Sequence, residues 1–289
     1  MGRHYAATLT CGAAIAGALA LGATALGSAA PANATCASFF GIGNSSLCKS
    51  NPTSVAIAIG SGAYADASGA WFGAALALGD SAYAASNQPL DFAIAAGDSA
   101  QAYASGIIGI AVQLGANGEA ATNGPGVSGD GLGINVALSV TPSTPVLFGS
   151  VTLAGGTGNI AINLFGDGSS FGANLIKAEG NLNNAVNVFG NNNRVAAGLA
   201  TGSVNTAVNL GGSGNIVYAG PGPFANSYAV LISNTTVTKS GPGFNVNGVK
   251  VFGAAATRNA KHTAAGADTS KSPGAAKSTH RSAGHSGRD

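Results

Sequence analysis

Four short runs in the first half of the chain alternate two kinds of residue: Val55 to Ile59, Ala74 to Leu78, Phe92 to Ala96 and Ile110 to Leu114. Alanine or another small or polar residue takes every second place, and a glycine closes each run, at Gly60, Gly79, Gly97 and Gly115. Alternation with period two predicts a β-strand, because successive side chains leave a strand on opposite faces. Beyond each glycine small residues alternate again: Ala63, Ala65 and Ala67; Ala82 and Ala84; Ala100, Ala102 and Ala104; then Gly118, Ala120 and Thr122. Tyr64, Tyr83, Gln101, Tyr103 and Glu119 occupy the places between them. The pattern predicts a strand, a glycine turn and a second strand, recurring at steps of 19, 18 and 18 residues.

A second set follows with a different rule. Ile160 to Gly166, Asn184 to Gly190 and Thr206 to Gly212 align at steps of 24 and 22, a spacing that suits one coil or two half-length coils. Three residues past the closing glycines stand Ser169, Asn193 and Asn215; five past stand Phe171, Val195 and Val217, which predicts another second strand. Units this short cannot bury a core alone, so neighbouring copies must stack strand on strand. The fold class expected is all-β, a parallel β-solenoid or β-roll of 18–24-residue repeats. Its blocks are 54–140, rich in Ala and Gly, and 158–253, rich in Asn and Gly. Thr141-Pro142-Ser143-Thr144-Pro145 opens a connector over 141–157.

Two packings satisfy the alternation. In one, the alanines fill a narrow interior and the aliphatic residues face outward, where a continuous apolar stripe would be an interface between copies of the chain. In the other, the large residues fill a wider interior and the alanines meet solvent. Asn163, Asn187 and Asn209 share a strand face with the alanines, so stacking would align their amides into a structural ladder, each side chain donating to one neighbour and accepting from the next.

The ends differ from the middle. Arg3, an apolar stretch from Ala6 to Leu26 and Pro31-Ala32-Asn33-Ala34 read as a secretory signal peptide over 1–34, with no membrane span left after cleavage. Export into an oxidising compartment leaves Cys36 and Cys48 as a pair, which predicts a disulfide clipping an N-terminal cap over 35–53. From 254 to 289 periodicity vanishes and small polar and basic residues take over, so this tail is expected to be disordered.

Composition sharpens the picture. Only 8% of the 289 residues are charged and 46 are glycine, which argues against a standard enzyme domain. Between Lys49 and Lys177 there is no base, while Asp66, Asp80, Asp91, Asp98, Glu119, Asp130 and Asp167 make the stretch acidic. The tail is basic: Arg258, Lys261, Lys271, Lys277, Arg281 and Arg288 face Asp268 and Asp289. Such bases suit contact with an anionic glycan or envelope polymer through counterion release, not a specific nucleic acid.

Motifs that suggest chemistry have structural explanations. Gly79-Asp80-Ser81 and Gly97-Asp98-Ser99 resemble serine-hydrolase strings, yet they recur at one turn of consecutive repeats. A serine nucleophile also needs a base, and no histidine lies between Thr35 and Gly253. Asp130 and Asp167 do not share the register that calcium-binding rolls require, and the isolated glycine pairs Gly41/Gly43 and Gly131/Gly133 precede no helix pattern. No catalytic residue, cofactor or metal is expected.

The strings Ala58-Ile59-Gly60-Ser61-Gly62-Ala63-Tyr64-Ala65 and Ala95-Ala96-Gly97-Asp98-Ser99-Ala100-Gln101-Ala102 resemble the head repeats of YadA-type trimeric autotransporter adhesins over about residues 54–122. The resemblance implies a parallel β-roll that forms a homo-oligomer, a trimer in that family, and binds host surfaces. The repeats here are longer than that family's, and no heptad stalk or membrane barrel follows in the sequence. The Ala/Gly/Asn composition is also similar to that of glycine- and asparagine-rich surface proteins of mycobacteria. Together these features lead us to expect a secreted or cell-envelope protein, a structural scaffold or adhesin-like binder. The alternative is a secreted carbohydrate-binding or carbohydrate-active β-helix.

Overall fold

A computed structural model of the chain describes residues 35–122, 133–142, 149–168, 174–198 and 202–251. The expected leader over 1–34 and the basic tail over 254–289, with its Arg258, Lys261, Lys271, Lys277, Arg281 and Arg288, lie outside the described residues.

The described chain winds as a β-solenoid of two sheets, each coil lending one strand to each. In the first sheet Val55–Ile59, Ala74–Leu78, Phe92–Ala96, Ile108–Leu114 and Ile134–Val140 lie side by side in chain order. Ile160–Leu164, Asn184–Val188, Thr206–Leu210, Ala225–Val230 and Gly243–Val246 continue it, all parallel. The second sheet stacks Cys48–Ser50, Tyr64–Ala67, Tyr83–Ser86, Gln101–Ala104 and Glu119–Thr122 beneath Ser150–Thr157, Asn174–Asn181, Arg194–Ala197, Ile216–Ala219 and Thr236–Lys239. A spacing of 22 or 24 residues is therefore one full coil.

The register puts like on like. Ala56, Ala75, Ala93, Ala111, Ala137, Ala161, Ala185 and Ala207 form one column of the first sheet, and all are buried. Across from it Ala65, Ala84, Ala102 and Ala120 form a column of the second. A methyl group on each side leaves the two sheets close together, so the alanines fill a thin interior and Val55, Ile57, Ile59, Leu76 and Leu78 turn outward, only half-buried. The packing with large residues inside and alanines in solvent is thereby overturned for this half. In the later coils the second sheet instead sends Ile176, Val195, Val217 and Val237 inward, opposite alanine.

Three sequence expectations need correction. The segment 141–157 contains Ser150–Thr157, a full strand paired to Glu119–Thr122 on one side and Asn174–Asn181 on the other. The blocks 54–140 and 158–253 accordingly form one continuous stack within one compact unit. The repeat length exceeds its expected bound at one place in each sheet: Ile110 pairs with Val136, a step of 26 residues, and Glu119 with Val151, a step of 32, both across the undescribed 123–132. The interior places expected for Ser169 and Phe171 belong to Asn174 and Ile176, in register with Asn193 and Val195. Ser169 and Phe171 themselves lie outside the described residues.

Both ends of the first sheet are covered by antiparallel strands. Thr35–Phe39 lies on Val55–Ile59, with Ile42–Gly43 outside it, and Val249–Val251 lies on Gly243–Val246. Such strands occupy edges that would otherwise offer unpaired backbone groups to another chain. The expected disulfide is present: Cys36 on the first sheet's antiparallel capping strand Thr35–Phe39 joins Cys48 on the second sheet's first strand, Cα to Cα 5.7 Å. Both cysteines are buried at the head of the alanine columns, Cys48 directly beside Ala65 and Cys36 beside Ala58.

Candidate interaction surface

The two outer faces of the solenoid are chemically opposite. None of the ten parallel strands of the first sheet contains a charged residue, and their outward places hold mainly Val, Ile, Leu and Phe. We call it the aliphatic sheet. Near its start, Val55, Ile57, Leu76, Phe92 and Ile94 line a shallow apolar depression of about 170 Å³.

Its borders are apolar too. Where the chain enters the aliphatic strands, Phe72, Leu90, Leu182, Val204 and Phe224 stand two residues ahead of the registered position, each with φ between 55° and 58°. Where the chain leaves, Phe165, Phe189 and Leu231 adopt φ of 56°, 59° and 52°. Left-handed backbone costs a bulky L-residue roughly 1–2 kcal/mol, so these corners hold large side chains at a conformational cost. Local burial does not offset it: Phe72 is 65% exposed and Phe189 57%, although Phe165 and Phe189 stack at 5.4 Å.

The second sheet, the polar sheet, faces outward with Lys49, Asp66, Glu119, Lys177 and Arg194 among its residues. Tyr64 stacks on Tyr83, and Tyr103 meets Tyr83 at a tilt of 35°, each pair at 5.1 Å between ring centroids. Lys49 lies 5.5 Å above the Tyr64 ring, the Tyr64 hydroxyl donates to Asp66 Oδ2 at 2.9 Å, and the Tyr103 hydroxyl donates to Gln101 Oε1 at 2.9 Å. Burial opposes ionisation of Asp66, but hydrogen bonds from Ser68 and Tyr64, with the nearby Lys49 charge, hold its pKa below the usual carboxylate value. Burial alone raises that of Glu119. Farther along, Lys177 pairs with Glu179 at 2.7 Å and Arg194 lies 5.6 Å over Tyr218.

Inside, the predicted ladder is present. Asn187 Nδ2 donates to Asn163 Oδ1, and Asn209 Nδ2 donates to Asn187 Oδ1, both at 2.8 Å, and all three residues are fully buried. Two further columns were missed by spacing. Asn135, Asn159, Asn183 and Asn205 each accept, on Oδ1, the backbone N–H of the residue one coil above. Asn174, Asn193 and Asn215 do the same for the N–H groups of Asn193, Asn215 and Thr235. The signal was available: an asparagine precedes Ile160, Asn184 and Thr206 in every copy. These amides have internal partners, which assigns them to the core and not to an exposed stripe for sugars.

The carboxylates have local duties. Asp80 Oδ1 accepts from Ser61 N at 2.8 Å and Asp98 Oδ1 from Asp80 N at 3.1 Å, so the Gly-Asp-Ser strings stack as turns, with Ser81 and Ser99 left-handed. Asp91 is fully buried in the same column as Asn135 and Asn159, and accepts from Gly109 N at 2.7 Å and Gln88 N at 2.8 Å. Burial raises its pKa to about 6, against those backbone bonds. Among the described residues no three of His, Cys, Asp and Glu gather as a metal ion would need. Asp167 is buried and Asp130 lies outside the described residues. No helix there is long and apolar enough to cross a membrane.

One outward spot mixes an aromatic face with hydroxyls. Trp71, 63% exposed, borders a depression of about 270 Å³ with Asn51, Pro52, Thr53 and Ser68. Comparison with known protein families, with curated proteins and with solved structures returns no match for this chain.

Proposed function

We propose that the chain is an exported cell-envelope or secreted scaffold, an adhesin-like binding protein rather than an enzyme. The observation that carries this reading is the sidedness of the solenoid: ten parallel aliphatic strands without a charged residue on one side and a polar, charged sheet with a row of tyrosines on the other. A stack of this kind presents long surfaces built from repeated positions, which suits binding by area. The buried disulfide supports an oxidising compartment, and the apolar start with its Ala-x-Ala site supports export. The likeness of residues 54–122 to adhesin head repeats supports surface exposure, and the basic tail supports contact with an anionic glycan or envelope polymer.

Fractionation of the producing cell tests the address. The chain should be found in the envelope or the medium beginning at Thr35, and retention in the cytoplasm with residues 1–34 intact refutes it. Binding of the purified chain to host and envelope glycans tests the activity. Deletion of 254–289 should abolish the salt-sensitive part of binding to an anionic polymer.

The Trp71 depression favours a second reading, carbohydrate binding. A sugar ring can stack on an exposed indole while Thr53 and Ser68 supply hydroxyls at its rim. Loss of neutral-glycan binding in Trp71→Ala with unchanged polyanion binding would select this reading over the tail.

A further inference from the structure

The geometry points to the outer face of the aliphatic sheet being covered by the same face of a second copy of this chain, two solenoids packed sheet against sheet.

Parallel sheets in proteins are almost always covered on both faces. The polar sheet meets water with charged and hydroxyl-bearing side chains. The ten parallel strands of the aliphatic sheet carry no charge, their outward polar groups are confined to the later coils at Asn184, Thr206, Asn226 and Tyr228, and only their inner face is covered by the interior of the solenoid. At about 4.8 Å per strand and 3.3 Å per residue, its ten strands of about five residues span roughly 43 Å by 17 Å. That is about 700 Å² of plane, or some 1,400 Å² buried by a pair, within the range of about 1,200–2,000 Å² that stable protein interfaces bury.

Charge selects the occupant. A face without a formal charge over ten strands opposes its own copy without burying an unpaired ion, and the columns of Ile, Val and Leu that repeat along it can interdigitate as inner faces of sandwiches do. The left-handed corners fit the same arrangement. Phe72 and Phe224 on one border, Phe165 and Phe189 on the other, are held open at a conformational cost that an apposed surface would offset. One opposing sheet covers such a face completely, so the geometry specifies a pair, where the resemblance to adhesin heads implies three chains. The inference deepens the partner side of the scaffold reading and rests on it only for where the assembly forms.

Light scattering coupled to size exclusion, on the chain as purified from its producing cell, should give twice the chain mass. Ile94→Lys with Ile162→Lys, both outward on the aliphatic sheet, should weaken association about a hundredfold by burying unpaired ammonium groups. Ile216→Lys on the polar sheet should leave it unchanged. A monomeric mass for the unsubstituted chain overturns the inference whatever the variants do, and so does equal dissociation by Ile216→Lys. A monomer that floats with phosphatidylcholine vesicles would give the face to lipid and equally overturn it. Failure of glycan binding with the pair intact would reject the adhesin reading and leave this one standing.

Discussion

Asn187 Nδ2 donates to Asn163 Oδ1 at 2.8 Å across 24 residues of chain, in the buried centre of the solenoid. The same Asn187 carbonyl accepts from Asn209 at 2.8 Å and from Asn193 at 3.1 Å, so one side chain ties three coils and both sheets. A buried amide is favourable only while its partners are present, and removing it strands them.

Asn187→Leu tests that dependence. Leucine is close in volume, so the substitution removes hydrogen bonds more than packing. Asn163 keeps its bond from Asn174, and Asn193 keeps its bond to the Gly212 carbonyl; Asn209 Oδ1 still accepts from Asn215 at 2.9 Å, but Asn209 Nδ2 retains only contacts of 3.5 Å. We expect about 3 kcal/mol of lost stability, read as a fall of roughly 6–12 °C in Tm by calorimetry. A Tm within a degree of the unsubstituted chain refutes the ladder's role.

Gly97→Ala probes the stacked corners. Gly97 has φ 135°, and a Cβ there would lie 2.5 Å from the carbonyl oxygen of Gly115 in the next coil. Both the left-handed backbone and the backbone collision oppose a side chain, which should cost about 3 kcal/mol or more. Alanine at Gly241, where a Cβ meets nothing within 4 Å, is the control and should be neutral in the same denaturant titration.

The Cys36–Cys48 bond should matter locally. It closes a separation of 12 residues and pins the capping strand to the second sheet, worth roughly 3 kcal/mol in the loop-entropy description. In Cys36→Ser with Cys48→Ser, hydrogen exchange should accelerate first in Thr35–Phe39 and Cys48–Ser50. Uniform acceleration along the whole stack would show that the ends are not separable from the middle.

Asp91 gives a pH dependence of unusual sign. Its pKa is about 6 in the folded chain against 3.8 for an unperturbed carboxyl, so the folded state binds more protons between those values. Stability must then rise as pH falls from 7 through 6 toward 4. Glu119, also raised by burial, acts in the same direction, while lowered Asp66 acts only below its ordinary value. Tm should be higher at pH 5 than at pH 7. Asp91→Asn, which installs the residue type that Asn135 and Asn159 use in the same column, should flatten the slope; an unchanged slope removes Asp91 as its source.

Strand identity was legible because period-two alternation is a local property: Val55 to Ile59 and Asn184 to Val188 betray their two faces without any partner. Stacking was legible because repeats too short to bury themselves must bury one another. The amide column of Asn163, Asn187 and Asn209 followed from the same repeat spacing, and the Cys36–Cys48 pair from being the two cysteines left once residues 1–34 are set aside. Ser150–Thr157 did not, since Ser150, Gly155 and Gly156 read as loop residues and become strand only where neighbouring coils supply hydrogen bonds on both sides. The register of Ile176 with Val195 was equally hidden, because a turn can absorb extra residues without a trace in the pattern on either side. Alternation is symmetric between its two faces, so it could not say which one is inside. That choice was made by the distance between the sheets: methyl groups allow close approach, the alanines took the interior, and the aliphatic residues were left facing outward.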